Sequence, residues 1–370
     1  MIDLPKNPFL NIEAFGRMLD PKYLTNSYKL YWLIAIFEEI KNQNKHIGFK
    51  RLVIRMVAES WYSLINYKLN LGVQDSLYDL VLFLHNKYGI ESTVRKDKLI
   101  SFLEVINDDV FKEKISSFYQ FVPYRMLTPF FSHKLVGVND YKKNKKIIEY
   151  SNQDPFCFYK IDNNEKSIII NECWYNYILQ NRIIVNGWLK YKLTNFLQRR
   201  NPSVPAIPFK LTPPYTRNLI KFKEFWFNMI NLVGIRDIYT QQPFTDKSFN
   251  TYGRLSVDHF IPWSFVLHDE LWNLAPTFQI INSSKSDKLP NLNKYLDSFC
   301  EMQYITFSTA IKINVGTEML LDYLTIDKEF YPKSSLNISK ELFINRLKST
   351  IVPLYQIAYN QGFAEWHKSF

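Results

Sequence analysis

The chain has 370 residues, 46% of them hydrophobic and 22% charged, a balance that suits globular units and argues against wholesale disorder. Its formal charge of +11 favours an anionic partner, nucleic acid or an acidic membrane surface, without choosing between them. The three cysteines, Cys157, Cys173 and Cys300, are widely spaced and form no CxxC pair. They suggest neither a disulfide framework nor a structural zinc site, and fit a reducing cytoplasm.

The N-terminal MIDLPKNPFLNIEAFGRM has no basic region leading into an apolar run, so secretion is not expected. The apolar run from Leu30 to Phe37 stops at Glu38 and Glu39, well short of the roughly 20 residues of a membrane span, and reads as a buried helix. In KLYWLIAIFEEI, FKRLVIRMVAESWYSLI, LYDLVLFLHNKYG and LISFLEVI, apolar residues recur every three or four positions, which predicts amphipathic helices. FCFYKIDNNEKSIIIN, residues 156–171, places two β-rich runs around a polar turn and predicts a hairpin. A further helix is expected from about Trp174 to Arg199.

RRNPSVPAIPFKLTPPYTR then brings Pro202, Pro205, Pro208, Pro213 and Pro214, which forbid a continuing helix and favour extended backbone. RNLIKFKEFWFNMINLVG predicts a helix ending at Gly234, and LFINRLKSTIVPLYQIAY one kinked or interrupted at Pro353. The expected class is therefore α+β and predominantly α-helical. It comprises a helical N-terminal module over residues 1–200 for substrate or partner binding, a Pro-rich linker over 201–214, and a domain over 215–370 whose core is 235–290.

Positive charge gathers before that core. Between Asn181 and Ile230 nine basic residues (Arg182, Lys190, Lys192, Arg199, Arg200, Lys210, Arg217, Lys221 and Lys223) face one acid, Glu224. A second cluster is Lys142, Lys143, Lys145 and Lys146. Charge runs are usually solvated faces. Their position makes Arg199, Arg200, Lys210, Arg217, Lys221 and Lys223 candidates for phosphate contacts.

The core reads IRDIYTQQPFTDKSFNTYGRLSVDHFIPWSFVLHDELWNLAPTFQIINSSKSDKLP. Asp258 and His259 adjoin, Asn273 follows His259 by fourteen residues, Asn282 by twenty-three, and KSDKLP begins at Lys285. These residues resemble the HNH, or His-Me finger, endonuclease family, most closely the HNH domain of type II CRISPR effectors and of free-standing bacterial HNH proteins. The likeness covers about 56 residues, and Arg236, Asp237 and Tyr239 resemble the start of that domain's first strand.

Hydrolysing a phosphodiester needs a deprotonated water and a cation to neutralise charge growing on the phosphate. An imidazole can accept that proton near neutral pH, which suits His259 as base. Asp258 and Asn282 offer the hard oxygens that Mg²⁺ prefers, with Mn²⁺ an alternative. The resemblance implies a ββα-metal core with those two as metal ligands, and Asn273 holding the histidine segment by hydrogen bonds. RLSVDHFI would be the second strand, a loop would carry Asn273, and PTFQIINSSKSDK would form the helix with Pro276 in its first turn. Lys285 would share a face with Asn282 and could reach the scissile phosphate.

His268 fits no motif position and reads as a surface residue, while His46, His85, His133 and His367 lack metal-ligand spacing. Many family members brace this core with zinc-binding CxxC pairs; here YTQQPF stands in the first pair's place, so packing must serve. The resemblance implies a metal-dependent endonuclease in bacterial restriction or anti-phage defence, with DNA favoured over RNA by family habit. A single such site nicks one strand, so double-strand cutting would take a homodimer or two successive events, and a partner protein is a further expectation. The competing expectation is a nucleic-acid-binding scaffold that keeps the fold without turnover. No amphipathic terminal anchor supports a membrane role.

Overall fold

The computed structural model describes residues 4–24, 26–331 and 338–368. The chain is α+β and predominantly helical, and divides into two compact units, Met1–Pro202 with Ile207–Pro213, and Ser203–Ala206 with Pro214–Phe370. No helix among the described residues is long and apolar enough to cross a membrane.

In the first unit the periodic segments form helices at Tyr28–Lys41, Phe49–Trp61, Ser76–Tyr88 and Lys96–Val105. Their apolar faces bury Trp32, Ile36, Leu52, Met56, Val81 and Leu103. One charge group lies inside: Glu39 accepts from Arg51 Nε at 3.0 Å and Arg55 Nη2 at 2.7 Å. A three-stranded antiparallel sheet pairs β1 (His46–Gly48) and β2 (Tyr159–Asp162) to either side of β3 (Ser167–Ile170). Its tight turn is held by Asp162, whose carboxylate accepts the Asn164 and Glu165 amides, both at 3.0 Å.

Two expectations are corrected here. The helix from Trp174 onward is two helices, Glu172–Gln180 and Arg182–Arg200, because Asn181 leaves helical geometry and caps the first with its own side chain on the Tyr177 carbonyl. The Pro-rich stretch is no extended linker throughout. Ile207–Leu211 winds into a 3₁₀ turn, which the fixed φ of proline permits as readily as extended backbone. That turn buries Lys210 completely, so the residue is not placed to meet a phosphate; burial lowers its pKa to about 7.

In the second unit the helix Ile220–Val233 ends on Gly234, whose φ of +65° supplies the left-handed cap that terminates helices. Arg236 to Tyr239 do not begin a strand. They belong to a turn closed by an Arg236↔Pro243 bridge, in which Asp237 accepts the Thr240 amide and hydroxyl at 2.9 and 2.6 Å. The ladder of this region joins β4 (Leu255–His259) to β5 (Leu274–Phe278), antiparallel, with His259 opposite Leu274 and Val257 opposite Pro276. Pro276 is thus a strand residue and not a helix start; a two-stranded ribbon consists only of edges, where a missing N–H is tolerated.

The helix after β5 is Gln279–Lys285, shorter than PTFQIINSSKSDK implied. Leu292–Lys312 and Lys340–Asn360 complete the unit, and the latter runs on through Pro353, which lies on its exposed side where water can take the freed carbonyl. Packing holds the core, as with the stacked rings of Phe260 and Phe299 at 4.2 Å.

Candidate active site

Strand β4 carries the motif because Leu255 and Val257 anchor it in the core and Pro262 ends it. Past Pro262 the chain makes one helical turn, Trp263–Val266, and reverses at Leu267, φ +58°. It then returns through Leu271–Asn273 to β5. Asn273 closes this loop. It is fully buried, its Oδ1 accepts the Ile261 amide at 2.8 Å, and its Nδ2 donates to the Ile261 carbonyl at 2.9 Å. Both backbone groups of one residue are thereby satisfied in a dry position.

The loop brings Asp269 back to His259. His259 Nε2 lies 2.8 Å from Asp269 Oδ1, with the histidine side chain 7% exposed and that of Asp269 22%. Arg217 reaches the same carboxylate oxygen at 3.2 Å, and its Nη1 stands 3.4 Å from both ring nitrogens of His259. The Arg217 guanidinium carbon lies 4.6 Å from the centre of the Trp263 ring. Burial lowers the His259 pKa and outweighs the Asp269 hydrogen bond that raises it, while Arg217 lowers it further. At Asp269 burial acts upward, but the bonds from His259 and Arg217 prevail and hold the carboxyl below its ordinary range. The resting pair is therefore a neutral imidazole on a carboxylate. Since a carboxylate only accepts, Nε2 carries the proton and Nδ1 keeps a lone pair.

Asp258, 3% exposed, belongs to a different set of contacts. Tyr239 donates its hydroxyl to Oδ2 at 2.6 Å, and Lys285 Nζ stands 3.1 Å from Oδ1 and 2.7 Å from the His259 carbonyl oxygen. Lys285 is completely buried, which corrects the expectation that it faces the scissile phosphate. Its helix packs against β4, and the ammonium is spent neutralising Asp258. Asn282, one turn earlier and half-buried, donates Nδ2 to Ser256 Oγ at 2.8 Å and to the Val257 carbonyl at 3.1 Å, so that both amide donations go to β4.

Asp258, His259, Asn273, Asn282 and Lys285 are thus gathered within one hydrogen bond of β4 or its loop. Arg217 joins them. Lys221 and Lys223 are exposed on the helix Ile220–Val233, whereas Arg199 and Arg200 end a helix of the first unit. His268 is half-buried and not on the open surface, its ring 5.3 Å from that of Trp272, and burial lowers its pKa. Sequence reasoning missed Asp269. The available signal was a carboxylate in the HDE triplet ten residues beyond His259, which matters only because the loop turns back.

Among the described residues no three His, Cys, Asp or Glu side chains gather around a common centre. A cation at β4 would take one carboxylate and one amide oxygen from the protein and the rest from water and substrate. That is a donor set of the kind Mg²⁺ accepts. Asp258 retains acceptor capacity on Oδ1, and the Asn282 amide oxygen has no partner within the described contacts, so the residues fit such an ion.

Residues 237–291 match the family model of HNH endonucleases. No curated protein and no solved structure matches the chain.

Proposed function

We propose that the HNH endonuclease domain which this chain carries at residues 237–291 hydrolyses the phosphodiester backbone of DNA with a divalent cation, Mg²⁺ or Mn²⁺. One observation carries the reading: inside the matched segment a buried, neutral His259 is oriented by Asp269 at 2.8 Å, the arrangement of a general base and its positioning carboxylate. His259 Nδ1 takes a proton from water, the resulting hydroxide attacks phosphorus in line, and the opposite P–O bond breaks. The leaving oxygen then gains a proton from solvent. Asp258 and Asn282 hold the cation, which when bound neutralises charge growing on the phosphate. Arg217 keeps N–H groups for a phosphate oxygen, Asn273 holds the loop, and Lys285 balances Asp258.

DNA in preference to RNA, and a setting in restriction or anti-phage defence, rest on family habit. The experiment uses plasmid, linear duplex, single-stranded DNA and RNA with Mg²⁺, Mn²⁺ or EDTA, beside His259→Ala. Metal-dependent cutting that falls by roughly 10²–10⁴-fold in His259→Ala is expected, the size of a general-base contribution. Equal cutting by His259→Ala would sink the mechanism. One observation favours a second reading, a nucleic-acid-binding scaffold without turnover: Lys285 already supplies the positive charge Asp258 needs. Salt-sensitive DNA binding with no cutting under any of those metals would select it.

A further inference from the structure

The first unit contains a cavity of about 460 Å³ to which the site around β4 contributes nothing. Arg17, Lys29 and Arg125 line it, with the hydroxyls of Thr128 and Ser132 and the ring of Phe121, a phenylalanine left 55% exposed. The volume falls within the roughly 300–1,000 Å³ of small-molecule pockets.

Its charges are unbalanced in a particular way. Asp140 is the acid of the lining, and it is committed: Arg125 grips it with both guanidinium arms at 2.9 and 3.0 Å, and Lys143 approaches at 3.3 Å. Arg17 has Glu13 at 3.8 Å in an exposed pair, a contact of little strength. Lys29 has no carboxylate partner among the described residues. It sits in the first turn of the helix Tyr28–Lys41, where the helix dipole opposes a cation, and that turn carries no acid to compensate. Burial and the nearby Arg125 together lower its pKa, so its charge is disfavoured on every side. A bound anion offsets all of these costs at once.

The exposed Phe121 ring beside the cations offers an apolar face that inorganic phosphate would leave unused. Bases stack on such rings irrespective of sequence. We propose that this cavity binds a free nucleotide, with Lys29 and Arg17 taking the phosphate and Phe121 the base.

Titration calorimetry on the full chain with AMP, ATP, adenosine and inorganic phosphate tests this. Saturable binding of AMP or ATP is expected. In Lys29→Met it weakens by at least about tenfold, the range of a lost charged hydrogen bond. Phe121→Ala weakens nucleotide and leaves phosphate unchanged. The melting temperature of Lys29→Met should not fall, because a desolvated charge without a partner has been removed, so a loss of binding cannot be ascribed to unfolding. His259→Ala binds as the parent does, which separates this proposal from the nuclease reading. No saturable binding, phosphate binding as tightly as AMP, or unchanged affinity in Lys29→Met would each overturn it.

Discussion

On the proposed nuclease reading, His259 moves the proton and Asp269, 2.8 Å from its Nε2, holds the imidazole in place. Asp269→Asn keeps an acceptor for Nε2 but removes the charge, and Asp269→Ala removes both. Asp269→Ala should therefore lower kcat by about 10- to 100-fold with KM nearly unchanged, and Asp269→Asn by less. Steady-state kinetics on a cleavable duplex checks this, and a loss confined to KM would contradict the positioning role. Lys285 and Asp258 form the other pair. With both side chains buried, Lys285→Met strands the carboxylate and should cost about 3–5 kcal/mol in chemical denaturation, much of it regained in the Lys285→Met, Asp258→Asn double variant. If the double variant is as unstable as the single, the charge argument fails.

At the scale of elements, the helical periodicity of Tyr28–Lys41 and Phe49–Trp61 was legible because each helix must bury one stripe, and the stripe is written in the sequence. The motif spacing likewise located Asp258, His259 and Asn282 on neighbouring elements. Three features were not legible, each for a tertiary reason. Asp269 meets His259 only through the reversal at Leu267; Lys285 is buried only because its short helix lies on β4; Pro276 is a strand residue only because the sheet stops at two strands. Lys210 belongs with these, since a run of prolines gave no hint that one turn would bury it. Its folded pKa, about 7, lies below the ordinary lysine value, so the unfolded chain binds more protons between those limits and stability rises with pH across them. Unfolding free energies measured at pH 7 and pH 9 should show that rise, and Lys210→Met should flatten it. An identical slope in the variant would refute the assignment.

For the whole molecule, the charge of +11 has a measurable meaning only through its partner. If Arg217, Lys221, Lys223 and a further cation neutralise about four phosphates, DNA affinity should fall on the order of 100-fold between 50 and 200 mM salt. Fluorescence anisotropy across that range gives the slope, and a flat line would mean that the basic faces are merely solvated. Division into two units also separates the tests of the two proposals: nucleotide binding concerns the first unit and backbone cleavage the second.

On the proposed metal-dependent reading, the ammonium of Lys285 against Asp258 bears on how the protein would take up its ion. A site that already contains its own counter-cation does not need the ion to hold its shape, and aromatic packing such as that of Phe260 on Phe299 braces the core. Chelation should then stop cutting and leave the melting curve where it was. An arriving Mg²⁺ must compete with a resident positive charge, so occupancy follows the ambient concentration instead of saturating at trace levels. The protein would be stored intact and dormant, and its rate would track the ionic state of the medium.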